Sequence, residues 1–384
     1  MKGIKVPPGP PKLPLIGNFH LSGNFPHHSL KKLPKKYGSI MLLQLGSVPT
    51  VIVSSAKTAK QVLKIHDLYC CTRPASPGPN RFSYNGLDVL FSPYSDHWKE
   101  MHKIFIFELL SMKRVQSFAY AREAKVDKLI TSLSQASPKS VNLNEKIFAL
   151  TDGIIGSIAF GKIYGTDQFK DQVFHNVLGE AMNMLDSLLA EDFFPRIGRI
   201  IDALTGLSGR LEKSFHQFDD YLQMVLDQHL DHARPKPEQE DLVDFLTRLM
   251  KDESNSFRIT ENCVRAMLFD AFMGGIVTTS TTILRAMSEL KKNPRVMNKV
   301  QDEIRNYIGK KAKVEGKDIS KLKYLKMVVK ETFRLYPPRP QWLGKPYELD
   351  MRDTNIEFSL ANILYWFDWE VPNDMKREDI SIEE

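Results

Sequence analysis

Lys330-Glu331-Thr332-Phe333-Arg334-Leu335-Tyr336-Pro337-Pro338 is the stretch on which the reading of this chain turns. Helix-forming residues run up to Leu335. Two prolines then stop them, because proline lacks the amide donor that a helix interior needs. Glu331 and Arg334 stand three apart, so they share one helical face and can pair. Fifty residues follow Arg334, and none of them is cysteine.

Working back from that helix, the apolar spacing predicts one helix at 295–308 and a long one from Thr260 to about 292, ended by Asn293-Pro294. Further helices are expected at 143–160, stopped by Gly161, and at 174–189, 211–232 and 241–250. Another starts near Trp98, with Asp96 as a possible cap. The polar loop at 233–238 carries two prolines. Toward the N-terminus, residues 7–18 are proline-rich and extended, and 27–36 reads as a short basic helix. Apolar runs at 40–45 and 50–54 flank Gly46-Ser47, a hairpin signal. Ser55 can cap a helix reaching about residue 65. The fold class is therefore mainly α with a small N-terminal β-sheet, in a single domain over 1–384 without internal repeats.

Composition narrows the function classes. The chain is 42% hydrophobic and 26% charged, with a net charge of +7. That charge suits an acidic protein, an anionic membrane or nucleic acid. No Lys/Arg block with interleaved aromatics occurs, so nucleic acid is the partner least supported. Cys70, Cys71 and Cys263 form neither a disulfide framework nor a zinc pattern, and Cys70 and Cys71 read as ordinary part-buried thiols. No run is expected to reach the roughly 18 apolar residues of a membrane span. Residues 1–6 are too short for a signal peptide.

In this order the motifs resemble those of the haem-thiolate monooxygenases, the cytochromes P-450, and in particular the plant family-71 group. Pro7-Pro8-Gly9-Pro10 resembles the hinge of that family, Cys71-Thr72-Arg73-Pro74 its early Thr-Arg-Pro, and Trp98 the tryptophan of its Trp-x-x-x-Arg helix. Gly274-Gly275-Ile276-Val277-Thr278-Thr279 resembles the oxygen-binding segment of its long helix, and Glu331 to Arg334 its Glu-x-x-Arg helix. Asp192-Phe193-Phe194-Pro195, Asp241-Leu242-Val243-Asp244 and Asn293-Pro294-Arg295 follow at family spacing. The resemblance implies a truncated P-450 fold, a haem cofactor, a flavoprotein reductase as partner and a small apolar plant metabolite as substrate. It also implies the surface of the endoplasmic reticulum membrane as location. As written, without the anchor that usually precedes the hinge, the chain would be cytoplasmic.

Three positions depart from the pattern. Where the resemblance implies a propionate-binding Trp and Arg four apart, this chain has Trp98 and His102. Histidine lacks the bidentate fork of arginine, and an ordinary surface histidine is the other reading. Where the family pairs an acid with threonine for proton delivery, the acid's position holds Val277, beside Thr278. The alternative for Thr278 and the hydroxyls after it is bonding back to the preceding turn, which bends the helix. Arg285 falls where a bulky apolar residue is usual. Last, the cysteine loop is absent: after Pro338 the chain passes through Trp342-Leu343-Gly344-Lys345 to 357–369, a stretch resembling the helix that lies beyond that loop. The chain reads as internally deleted, with the junction near 341–355.

Cys263 lies fifteen residues before Thr278 on one expected helix, about 22 Å along its axis, too far to stand in as iron ligand. The expectations that follow are a shielded, structural Glu331–Arg334 pair, no metal ligand set, and no monooxygenase activity. Loss of the cysteine layer is also expected to uncover the long helix and 356–367. An active haem enzyme, if the missing segment is a splicing or gene-assembly artefact, and a non-catalytic helical ligand-binding protein are the alternatives.

Overall fold

The computed structural model describes residues 6–21, 23, 29–166, 171–234, 237, 239–254, 257–337 and 350–371. The chain divides into two compact units. One is built from Met1–Lys99 with Asn176–Gln223 and Pro340–Tyr347, the other from Glu100–His175, Met224–Arg339 and Glu348–Glu384.

The first unit holds the hairpin expected from the sequence. Strands β1 (Ile40–Leu45) and β2 (Val48–Val53) pair antiparallel, with Ile40 opposite Val53 and Leu45 opposite Val48. Gly46 turns the chain at φ +57°, a region open mainly to glycine. The proline-rich segment is tied to β1, since the Leu42 amide donates to the Pro8 carbonyl at 3.0 Å. Gly9 makes that approach possible: a Cβ there would stand 2.0 Å from the Leu42 carbonyl oxygen. The buried Asn18 side chain fixes the end of the segment, accepting from the Gln44 amide at 2.8 Å and donating to Pro11 O at 2.9 Å. Ser55 caps the next helix through the Thr58 amide, as read from the sequence. Phe82, Phe215 and Phe218 form this unit's aromatic core.

Helix α1 (Asp96–Ile104) carries Trp98 and His102. Asp96 is not its cap. The Ser95 hydroxyl accepts from the Trp98 amide at 3.1 Å, while Asp96 pairs with Lys99.

The second unit is helical. Its main elements are α2 (Ala119–Ala136), α3 (Leu143–Phe160), α4 (Asp171–Asp186), α5 (Leu207–Leu230), α6 (Leu242–Lys251), α7 (Glu261–Gly275), α8 (Val277–Lys292), α9 (Pro294–Ile308), α10 (Lys323–Leu335) and α11 (Asp350–Trp366). Helices α4 and α5 belong to it only in part. Helix α3 is apolar nearly all round, as a central helix must be. It packs against α2, α6, α7 and α8, and α8 packs in turn against α9, α10 and α11. Phe160, Phe174 and Phe272 meet in an aromatic cluster with centroids 4.6–5.4 Å apart.

The expected uncovering is not seen over 356–364, although Trp366 is exposed. Ile356, Leu360, Ala361, Ile363 and Leu364 are fully buried, and Phe358 nearly so. Packing of α11 against α2, α8, α9 and α10 covers it. The expected junction at 341–355 lies outside the described residues except for 350–355, and the expected helix at 27–36 is described only from 29, where Pro34–Tyr37 is helical.

Candidate active site in the long helix

The expected continuous helix from 260 to 292 is two helices joined at Ile276. Thr260 caps the first, accepting from the Cys263 amide at 3.3 Å. Ile276, at φ −87° and ψ −68°, interrupts the helical run just before Val277 while remaining in the right-handed region. Two hydroxyls bond back to the turn before them. Thr278 Oγ1 donates to the Gly274 carbonyl at 2.6 Å, and Thr282 Oγ1 to the Thr278 carbonyl at 2.7 Å. Hydroxyls bonded back to the preceding turn in this way tend to bend helices.

Two sides of this break differ. On the buried side, Thr151 and Ser280 share a hydroxyl hydrogen bond at 2.5 Å. Gly275 lets α7 lie close to α3, since a Cβ there would meet Ile155 Cδ1 at 2.6 Å. On the other side Ala271, Gly274, Thr278 and Thr281 lie about one turn apart and are all only half-buried. A Cβ at Gly274 would meet nothing within 4 Å. The helix thus offers a small, open face that carries the hydroxyls of Thr278 and Thr281, with the aliphatic Val277 beside it.

The other expected site residues are placed as follows. The indole Nε1 of Trp98 donates to the Val89 carbonyl at 2.9 Å. His102 lies one turn further along α1 and is half-buried. Cys263 is buried in the first turn of α7, where Thr260 Oγ1 donates to its sulfur at 3.2 Å. Cys70 is exposed rather than part-buried, because it ends a four-residue helix, Asp67–Cys70, with no buried residue. Arg285 stacks its guanidinium over the Tyr336 ring at 5.2 Å, while the Tyr336 hydroxyl donates to Glu289 at 2.9 Å.

Glu331 and Arg334 pair as expected, through two hydrogen bonds of 2.7 Å. They are not shielded: the side chains are 54% and 67% exposed. The buried face of α10 is Leu325, Val329 and Thr332, and helical spacing puts Glu331 and Arg334 on the far side of it. Arg334 still holds the Glu331 carboxyl below its usual range, first through the hydrogen bond.

A sequence model described as Cytochrome P450 matches residues 7–350. The chain belongs to the cytochrome P450 family. Among curated relatives, this P450 is 54% identical over 341 residues to the 2-methylbutanal oxime monooxygenase of Manihot esculenta. That match takes in 88% of this chain and 66% of the relative. It is 43% identical to the 4-hydroxyphenylacetaldehyde oxime monooxygenase of Sorghum bicolor, covering 99% of this chain and 85% of that one. The sorghum alignment runs over 453 positions against the 384 residues of the whole chain, so part of that relative has no counterpart here. A zebrafish cytochrome P450 solved with progesterone shares the fold, with a TM-score of 0.67 at 22% identity, over 81% of this chain and 70% of that one. Members of the family carry haem and draw electrons from a redox partner. The stretch from Glu261 to Lys292 is long and apolar enough to cross a membrane, contrary to the sequence expectation, but more than half of it is buried inside the protein.

The sequence reading missed the charged cluster of His229, Arg234, Asp241 and Asp244, which joins the end of α5 to the start of α6. Asp241 three residues before Asp244 is a capping signal visible in the sequence. Nothing in the spacing showed that His229 would meet it.

Proposed function

We propose that this chain comes from a lineage of plant P450 monooxygenases acting on small, largely apolar oximes, and that as it stands it does not carry out that reaction. The observation that carries the reading is the placement of its three thiols. Cys70 and Cys71 lie in the first unit, and Cys263 sits in the first turn of α7 with its sulfur held by Thr260. The family's haem chemistry needs a thiolate on the iron, which pushes electron density toward oxygen–oxygen cleavage. No cysteine follows Cys263 in the sequence, so the donor set does not fit a thiolate-bound haem.

Two further features support this. The Trp98 indole spends its single N–H on Val89, and the Thr278 hydroxyl spends its proton on Gly274. Val277 has no proton to relay, and a positioned general acid is worth roughly 10²–10⁴-fold in rate. His102 replaces the arginine that would hold a propionate.

Incubating the purified chain with haem, a plant P450 reductase and an aliphatic aldoxime tests the reading. Conversion of the oxime above the haem-only control would overturn it. A second reading is favoured by the sorghum alignment being longer than this chain: with the family's cysteine segment restored between Pro340 and Ile356, the same scaffold is an active, reductase-coupled enzyme of the endoplasmic reticulum surface. Haem uptake by that restored chain alone is the outcome expected.

A further inference from the structure

His66, Cys70 and Cys71 lie on one short turn of the first unit. His66 stands at the head of the four-residue helix Asp67–Cys70, and its carbonyl accepts from the Tyr69 amide at 3.1 Å. Cys70 comes four residues later, so imidazole and thiol share a face, with Cβ atoms about 5–6 Å apart. Cys71 follows directly, in right-handed backbone at φ −85° and ψ −17°. An ion bonded at about 2.0–2.3 Å to nitrogen and sulfur fits between donors so spaced.

These donors are uncommitted. His66 and Cys70 are exposed, and among the described residues neither side chain has a partner. The half-buried Cys71 makes one weak contact, its thiol donating to the Leu68 carbonyl at 3.6 Å. Asp67, between them, is engaged elsewhere. The helix carries no buried residue, so turning its side chains onto an ion disturbs no packing. The chain just beyond is fixed. Thr72 Oγ1 accepts from the Tyr94 amide at 3.3 Å, and Arg73 Nε donates to the Leu90 carbonyl at 3.0 Å. Nor do the two thiols suit each other. Neighbouring Cα atoms across a trans peptide stand about 3.8 Å apart, closer than the roughly 4.4–6.8 Å of a disulfide. A shared ion needs no sulfur–sulfur bond.

We propose that His66, Cys70 and Cys71 form a surface site for a thiophilic divalent cation, zinc(II), unconnected with the family's haem chemistry. Two sulfurs and an imidazole select such an ion over calcium or magnesium, which take oxygen ligands. Three protein donors leave the fourth position to water, as in an open zinc site. Each thiol gives its proton to solvent on binding, and nothing is oxidised.

The test is titration of the whole, reduced chain with cobalt(II), which takes the place of zinc and absorbs in the visible when thiolate-bound. One equivalent should bind with sulfur-to-cobalt absorption, and added zinc(II) should bleach it. His66→Ala, Cys70→Ser and Cys71→Ser should each weaken binding by roughly 10–100-fold or more, the cost of losing even an outer-shell partner. Cys263→Ser should bind like the parent. No sulfur-to-cobalt absorption in the parent, its loss in Cys263→Ser, or parental affinity in any of the three other variants would each overturn the site.

Discussion

The side-chain amide of Gln301 on α9 donates to the carbonyl of Phe367 at 3.0 Å and to that of Leu364 at 3.3 Å. Arg305, one turn along, donates to the carbonyls of Tyr365 and Phe367 and pairs with Asp368 at 2.9 Å. Lys291 of α8 reaches the Trp369 carbonyl. The last carbonyls of a helix have no partner within it and carry partial negative charge. Donors from two neighbouring helices supply both needs, so α11 is fastened by its end as well as by its apolar face.

Truncating Gln301 should therefore loosen α11. Gln301 is buried, and Gln301→Ala takes this donor from the Leu364 carbonyl and leaves the Phe367 carbonyl with Arg305 alone. A loss of about 1–3 kcal/mol is expected, as for buried acceptors left unsatisfied. Urea unfolding followed by tryptophan fluorescence measures it. An unchanged midpoint would mean that apolar packing alone holds the helix.

The exposed Glu331–Arg334 pair leads to the opposite expectation. Water screens both groups and replaces either partner when it is lost. Glu331→Gln should leave the melting temperature of the chain unchanged. A clear drop would place these side chains in a shielded setting after all.

Much of the architecture was legible because it rests on local signals. The limits of α3 at Leu143 and Phe160, the hairpin around Gly46, the cap at Ser55 and the start of the long helix at Thr260 follow from apolar spacing and from residues whose side chains reach their own backbone. Three features escaped for a shared reason. The exposure of Glu331 depends on which face of α10 is packed. The burial of α11 depends on which helices close over it, and the His229 cluster on where α5 ends relative to α6. Each is a property of tertiary packing, which spacing along one helix does not encode. The bend at Ile276 lay between the two cases. The threonines and Ser280 announced it, but as one of two readings.

Glu357 on α11 supplies a pH dependence. Burial raises its carboxyl above the usual range, and Lys326, 3.9 Å away, offsets this only in part. A carboxyl whose folded-state pKa is raised favours folding most when protonated. Its contribution is therefore present below the unfolded carboxylate pKa and is lost as pH rises through the folded value. Glu357→Gln should gain stability at neutral pH and converge with the parent in acid, where both side chains are uncharged. Thermal melts across pH 4–8 give the comparison. A variant less stable than the parent at neutral pH would show that the Lys326 contact outweighs the burial.

We propose that this P450 chain lacks the thiolate on which its family's chemistry depends. Changes elsewhere should not compensate, so Val277→Asp, which restores an acid beside Thr278, should recover no activity. The most direct measurement is the carbon monoxide difference spectrum of the reduced, haem-incubated protein. No thiolate-type Soret band is expected, and either a histidine-type band or no haem uptake. A thiolate-type band that supports turnover with a flavoprotein reductase would contradict it.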